Sequence, residues 1–189
     1  MLLADVPAPT FASIKPMKFR TLFRISPLGC AGMLLTGGVF SAMFGMASVW
    51  GAMDTLTLKQ IAAYGAALYV GGLVLQYPVG WASDRMDRRI VLAGCAILSA
   101  GSAAICGVFD GASLLLLAAV FILWDGATES VYSIGNAHAG DKAKKEEMVE
   151  LSATMLFAWS VSGFLVPGIA TALTTRFGTI AYFPLAIAI

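Results

Sequence analysis

Charged residues are scarce in this sequence. Aspartate, glutamate, lysine and arginine make up 12% of the 189 residues, against about a quarter in ordinary soluble domains. Hydrophobic residues account for 59%, and the mean hydropathy is +0.83. A soluble fold of this size leaves too much surface in water to hide that apolar content. The net charge of +1 also lacks the basic excess of a nucleic-acid-binding protein. The composition therefore indicates an integral membrane protein that contacts the lipid bilayer and no nucleic acid.

Histidine and cysteine are scarce as well. His138 is the only histidine, and Cys30, Cys95 and Cys106 have neither a metal-ligand nor a redox spacing. The sequence also lacks an H-E-x-x-H motif, an intramembrane serine-protease pattern and a glycine loop for phosphate binding. We therefore predict no metal site, no cofactor and no enzymatic activity.

Long stretches without charge dominate what is present. Four of them contain between 20 and 29 residues, and these are 25–53, 60–83, 90–109 and 151–175. A helix needs about 20 residues to cross roughly 30 Å of hydrocarbon. A fifth stretch, 111–140, is interrupted only by Asp125 and Glu129, and a sixth covers 177–189. Because the stretches are continuous rather than alternating, they indicate helices and not barrel strands.

These stretches predict an all-α, polytopic membrane helix bundle. We expect a leader at 1–26, five complete spans and a sixth that is truncated, at about 27–52, 60–82, 90–109, 112–137, 150–175 and 178–189. The leader contains prolines and basic residues but no apolar region of a secretory signal. Two alternatives stay open for it: a basic amphipathic segment at the membrane surface, or a disordered tail.

The basic residues predict the orientation. With a cytoplasmic N-terminus, ten of the twelve lysines and arginines lie on the cytoplasmic side, and only Lys59 and Arg176 lie outside. The opposite orientation would invert that ratio. The positive-inside rule therefore places the N-terminus and the loops at 83–90 and 138–150 in the cytoplasm.

A dense charge cluster connects the second and third spans. Its sequence is Gly80-Trp-Ala-Ser-Asp84-Arg85-Met-Asp87-Arg88-Arg89. This segment resembles the G-x-x-x-D-R-x-G-R-R loop of the major facilitator superfamily, which joins the second and third helices of each six-helix half. Asp87 stands where the family has its second glycine, and the D-R-x-D-R-R form is similar to one branch of bacterial transporters in the superfamily.

The resemblance implies half of a secondary active transporter in a bacterial cytoplasmic (inner) membrane. Such a protein moves a small-molecule substrate by alternating access, and its two six-helix halves surround a central cavity. The partner would be a missing N-terminal half or a second copy. The basic leader resembles the linker before the seventh helix, and the fourth span lacks the arginine common in first halves, so we favour the C-terminal half. A non-transporting scaffold or assembly subunit, or an inactive transporter fragment, is the alternative.

In the superfamily this loop closes the cytoplasmic side of the cavity. The predicted gate consists of Gly80, Asp84, Arg85, Arg88 and Arg89, facing three acidic residues before the fifth span, Glu146, Glu147 and Glu150. The arginines can donate paired hydrogen bonds to carboxylates. The Asp84 carboxylate can lie near the N-terminal end of a neighbouring helix, where the helix dipole favours a negative charge. The glycine should let a neighbouring backbone approach closely. A simple topology anchor is the alternative.

The fourth span contains the only embedded charges. Asp125 lies about twelve residues into the span, near the midplane, and spacings of four, three and four put Asp125, Glu129, Tyr132 and Asn136 on one helical face. We call these four residues the polar stripe. Burial disfavours the charged form of a carboxylate, so at least one of the two acids is expected to bind a proton near neutral pH. The stripe predicts a proton- or substrate-binding face that is probed by the neutral variants Asp125→Asn and Glu129→Gln. A purely structural pair, neutralised by an arginine of the other half or kept protonated, is the alternative.

Hydroxyl, amide and aromatic residues inside other spans are weaker candidates. They are Thr36, Ser41, Tyr64, Tyr69, Gln76, Trp159 and Ser160. Such residues serve more often as hydrogen-bonding contacts between helices than as ligands.

The orientation can be tested by cysteine labelling. In a chain whose native cysteines are replaced, Asp87→Cys should resist a membrane-impermeant maleimide in intact cells, because loop 83–90 is expected inside. Lys59→Cys is the matched control and should react, since that residue is expected outside. Ready labelling at position 87 from outside would overturn the orientation.

Overall fold

A computed structural model describes residues 17–53, 56–108 and 114–178, and these residues form α-helices without any β-strand. The helices are α1 (Phe19–Ile25), α2 (Pro27–Met53), α3 (Leu58–Ser83), α4 (Arg88–Val108), α5 (Leu114–Gly140) and α6 (Met148–Phe177), with a 3-10 turn at Lys145–Glu147. Helices α2 to α6 are each long and apolar enough to cross a membrane. They overlap the four uncharged stretches and the stretch that contains Asp125 and Glu129. The predicted sixth span lies outside the described residues, apart from Gly178.

Local signals explain where the helices start. The Ser26 hydroxyl accepts a hydrogen bond from the Gly29 N–H at 3.0 Å, and Pro27 occupies the first turn of α2, where a missing N–H costs nothing. Helix α3 begins with a capping box, in which the Thr57 hydroxyl accepts from the Gln60 N–H and the Gln60 side chain accepts from the Thr57 N–H. These caps satisfy N–H groups that the helix itself leaves without partners.

Helix α5 is the central element of the bundle. It packs against α2, α3 and α4, while α2 also packs against α6. One apolar cluster surrounds Phe121 and Trp124 in the first half of α5, and a second cluster surrounds Leu151 and Met155 near the opposite end. Asp125 follows the first cluster directly and lies about halfway along α5.

Two glycine contacts bring helix backbones unusually close together. A Cβ at Gly71 would collide with the Ile122 carbonyl oxygen of α5, and a Cβ at Gly126 would lie 2.6 Å from the Gly71 carbonyl oxygen. At Gly37 of α2, a Cβ would collide with the Trp159 carbonyl oxygen of α6. Small residues allow this approach in membrane helices, where close packing stabilises helix association. Among the described residues, by contrast, a Cβ at Gly80 would meet nothing within 4 Å.

The described part of the leader is helical. Leu22 of α1 is fully buried in the second apolar cluster, and the Thr154 hydroxyl of α6 donates to the Met17 carbonyl oxygen at 3.4 Å. Phe19, Arg20 and Phe23 of α1 are exposed. For Phe19–Ile25 the structure has a helix packed on α2 and α6 rather than a disordered tail, and residues 1–16 lie outside the described part of the chain.

The α3–α5 contact predicts a difference between two glycine substitutions. Gly71→Leu should destabilise the protein by about 2 kcal/mol or more, since the side chain would force two backbones apart. Gly94→Leu introduces the same side chain where a Cβ meets no atom of the described residues within 4 Å, so it should be tolerated. Thermal unfolding in detergent, followed by size-exclusion fluorescence, compares the two variants. Equal melting temperatures would contradict the packing described.

Candidate functional site

The close α3–α5 contact places an acid against a helix backbone. Because Gly71 and Gly126 bring the two helices together, the Asp125 carboxylate reaches α3, where its Oδ2 atom accepts a hydrogen bond from the Gly72 N–H at 2.9 Å. Asp125 is only 2% exposed. Within the described residues its other oxygen, Oδ1, is buried and has no hydrogen-bond partner. One oxygen is therefore fixed by α3, and the other is buried with no hydrogen-bond partner in the described part of the chain.

Glu129 lies one helical turn further along α5. It is half-buried, and no hydrogen bond or ion pair engages its side chain within the described part of the chain. A Cβ placed on Gly72 would lie 3.4 Å from Asp125 Oδ2 and 3.6 Å from Glu129 Cγ, so both acids approach the same glycine. The missing side chain at that position leaves room in front of the pair.

That room is part of a cavity of about 380 Å³ between α2, α3 and α5. Small-molecule sites typically occupy roughly 300–1,000 Å³. The lining consists of two acids, three aromatic rings, one amide and two further residues of α3: Asp125, Glu129, Phe40, Phe44, Tyr69, Gln76, Gly72 and Leu73. No basic side chain is among them, and no cluster of three metal-ligating side chains occurs in the described ranges. The cavity is therefore acidic and largely apolar.

The polar stripe divides between two environments. Asp125 and Glu129 line the cavity, whereas Tyr132 packs edge-on against Trp159 of α6, with ring centroids 6.4 Å apart. Asn136 donates to the Tyr132 carbonyl oxygen at 3.3 Å, and its Nδ2 atom lies 3.9 Å from the Met33 sulfur of α2. The division arises because α3 covers one stretch of α5 while α2 and α6 approach the next.

Two of the weaker candidates, Tyr69 and Gln76, also line the cavity. Thr36 and Ser160 instead donate to carbonyl oxygens of their own helices. The cavity residues that sequence reasoning missed are Phe40, Phe44, Gly72 and Leu73. Their types are common throughout the spans, so nothing in the sequence distinguishes them.

The charged loop between α3 and α4 forms a second cluster at one end of the bundle. Arg88 Nε lies 2.9 Å from Asp141 Oδ2, just beyond the end of α5, and Arg88 Nη2 lies 3.7 Å from Asp84 Oδ1. Arg85 donates to the Trp81 carbonyl oxygen at 3.1 Å, and its guanidinium lies 4.1 Å from the centre of the Trp81 ring. The α3–α4 and α5–α6 connections are thus joined by an ion pair and lie on the same side.

The charged loop pairs with a different acid from the three glutamates that the sequence predicts. Among the described residues, no ion pair joins an arginine of the loop to Glu146, Glu147 or Glu150, and Arg88 binds Asp141 instead. Asp141 is the first acid after α5 in the same connection, whereas sequence reasoning chose the three glutamates nearest to the fifth span. The position of Asp141 one residue beyond the helix end was the signal available.

Asp87, which stands where the family pattern has a glycine, forms a hydrogen bond at the start of α4. Its Oδ1 atom accepts a hydrogen bond from the Arg89 N–H at 2.9 Å, immediately before α4. A carboxylate in this position satisfies an N–H that the helix leaves free and favours the positive end of the helix dipole. The extra acid therefore caps α4.

Comparison with known proteins defines the class. A family model described as the Major Facilitator Superfamily matches residues 28–189, so the chain belongs to this superfamily of membrane transporters, which are not enzymes. It is 25% identical over 155 residues to an uncharacterized MFS-type transporter of Yersinia pestis, covering 82% of this chain and 39% of that protein. The MFS-type transporter YcaD of Shigella flexneri is 24% identical with the same coverage, and one from an Enterobacter species is 24% identical over 145 residues, which is 76% of this chain and 36% of the relative.

The chain therefore spans about two fifths of the length of the relatives it matches. No solved structure matches it at a significant level. The described helices form a multi-pass helical bundle that corresponds to half of the superfamily fold.

The Arg88–Asp141 pair predicts a modest coupling. Arg88→Ala and Asp141→Ala should each destabilise the protein, because each removes the ion pair. Since both side chains are partly exposed, the double mutant should reveal a coupling of only about 0.2–1 kcal/mol. Melting temperatures of the four proteins of the cycle provide the measurement. Arg89→Ala with Asp141→Ala is the control cycle and should be additive. Full additivity in the Arg88 cycle would show that the pair contributes nothing.

Proposed function

We propose that the chain is the C-terminal six-helix half of a proton-coupled secondary transporter, which moves a small molecule by alternating access. The single observation that carries this proposal is the pair Asp125 and Glu129, which borders a cavity without any basic side chain in its lining. A scaffold has no use for two acids in the middle of a span, because each costs several kcal/mol in hydrocarbon unless it is paired, solvated or protonated.

Proton coupling is supported by the groups that surround the acids. Helix α3 contributes Tyr69 and Gln76 to the cavity, while α2 between 27 and 53, α4 between 90 and 108 and α6 between 151 and 175 contain no charged residue. Because these segments of the chain supply no basic side chain, we propose that protons neutralise the pair. Glu129, which has no partner in the described residues, is proposed as the proton carrier, and Asp125 as the acid anchored on α3.

The cytoplasmic gate is proposed at the charged loop. The Arg88–Asp141 ion pair places the two connections together, and most basic residues of the sequence gather on their side, which supports a cytoplasmic N-terminus in a bacterial inner membrane. Opening toward the cytoplasm would have to separate this pair or move both connections as one body.

A second six-helix unit is proposed to cover the open side of α3. Tyr69, Gln76 and Tyr77 are exposed on this helix, and Gly80 has free space in front of it within the described part of the chain. An amide and phenolic hydroxyls at this depth favour contact with protein over contact with lipid, since lipid offers no hydrogen-bond partner. The missing N-terminal half, or a second copy of the chain, would fill that place.

Transport is testable with the full-length protein in proteoliposomes. An imposed proton gradient should drive accumulation of at least one of four labelled solutes, namely an organic cation, a carboxylate, a sugar and a neutral amino acid. A protonophore should abolish the accumulation. Glu129→Gln should reduce gradient-driven uptake by about tenfold or more, because the neutral amide cannot carry a proton.

Asp54→Asn is the matched control for this experiment. It removes one negative charge from the connection between α2 and α3, outside the proposed gate, so its uptake should match the wild type. Gradient-driven uptake with an unchanged pH profile in both Glu129→Gln and Asp125→Asn would contradict proton coupling through this pair.

A further inference from the structure

Three aromatic rings that line the cavity contact one another in a row. The Phe40 and Phe44 centroids are 4.4 Å apart, and the Phe44 and Tyr69 centroids are 4.9 Å apart. All three residues line the same cavity as Asp125 and Glu129. The ring planes are tilted, by 36° in the first pair and 55° in the second.

Aromatic faces and carboxylates share one preference. A ring face carries negative electrostatic potential and attracts a cation within about 6 Å of its centre, and desolvation strengthens the attraction. A carboxylate without a cationic partner attracts the same ligand. The cavity presents both, because the three rings and the two acids line it together. The two features are independent, since the rings come from α2 and α3 and the acids from α5.

The same lining disfavours other substrates. An anion would meet two acids and no basic side chain. A sugar requires many hydrogen bonds, whereas Gln76 and the Tyr69 hydroxyl are the only other side-chain groups of the lining that can form them. Leu73 and the rings suit an apolar body instead.

From this juxtaposition we propose that the cavity binds an organic cation, a quaternary or protonated amine with an aromatic or aliphatic body. The proposal rests on the proposed transport function and specifies its substrate class. The positive group lies between the rings and the carboxylates, and the body contacts Phe40, Phe44 and Leu73. A single cation neutralises only one of the two acids, whereas protonation of both acids removes the negative charge that attracts the cation.

The test is equilibrium binding to the purified full-length protein in detergent. Radiolabelled phenyltrimethylammonium is the probe, because its charge does not change with pH, and benzenesulfonate is the matched aromatic anion. Phenyltrimethylammonium should bind saturably and benzenesulfonate should not. Lowering the pH should weaken cation binding progressively, since protons compete for the same acids.

Variants locate the site. Asp125→Asn and Glu129→Gln should each weaken binding by about tenfold, and Phe44→Leu, which keeps the apolar bulk but removes the ring, by about threefold. Asp54→Asn, in the connection between α2 and α3, should bind like the wild type. Monodisperse elution verifies that each variant is folded. If a variant fails to fold, the comparison of the two probes and the pH dependence in the wild type still decide the question.

Several outcomes separate the two proposals. Equal binding of benzenesulfonate, or cation binding that is insensitive to both acid variants and to pH, would overturn the organic-cation site. Proton-driven uptake of another solute without cation binding would overturn the substrate class and leave transport intact. Saturable, acid-dependent cation binding without any proton-driven uptake of that cation would support the site and count against the transporter.

Discussion

The contact between α3 and α5 determines the character of the molecule's centre. Two glycines, Gly71 and Gly126, let the backbones approach so closely that an α5 carboxylate hydrogen-bonds to an α3 main-chain N–H. A larger residue at either position would hold the helices apart, and Asp125 would then face a gap or the neighbouring apolar side chains. A buried carboxylate without such a donor is strongly disfavoured. The close packing of α3 on α5 and the burial of Asp125 therefore depend on each other.

Helix α5 connects the cavity with the Arg88–Asp141 ion pair. It contributes Asp125 and Glu129 to the cavity, and the chain continues from its last turn directly into Asp141, the partner of Arg88. Because a packed helix moves as a rigid element, a displacement of α5 that reshapes the cavity either changes the distance across the ion pair or carries α4 along with it. An exposed pair of this kind contributes little stability. It can therefore break and re-form without a large cost.

The sequence predicts the spans well and the site only in part. Runs without charge must form helices in lipid, so five helices follow from them, and the depth of Asp125 follows from counting residues. The face that each residue presents depends on how neighbours cross, and for this reason Tyr132 and Asn136 separate from the acids. Phe40 and Phe44 carry no signal, because an aromatic residue toward a cavity and one toward lipid look alike in a sequence. Asp141 is visible in the sequence as the first acid after α5, but its pairing with Arg88 depends on which loops meet in the fold.

The shared acids constrain the kind of coupling that the proposed transporter can use. The cation competes with the second of two protons for the pair, because a pair with two protons is neutral and a pair with one proton and one cation is neutral as well. Two acids in a low-dielectric cavity cannot both stay charged without a counter-ion, so an empty, fully ionised pair is the least favourable state. After one ligand has been released, the cavity then reorients across the membrane more readily once the other ligand has bound. Under the proposed chemistry, that ordering produces exchange of protons for an organic cation across the membrane.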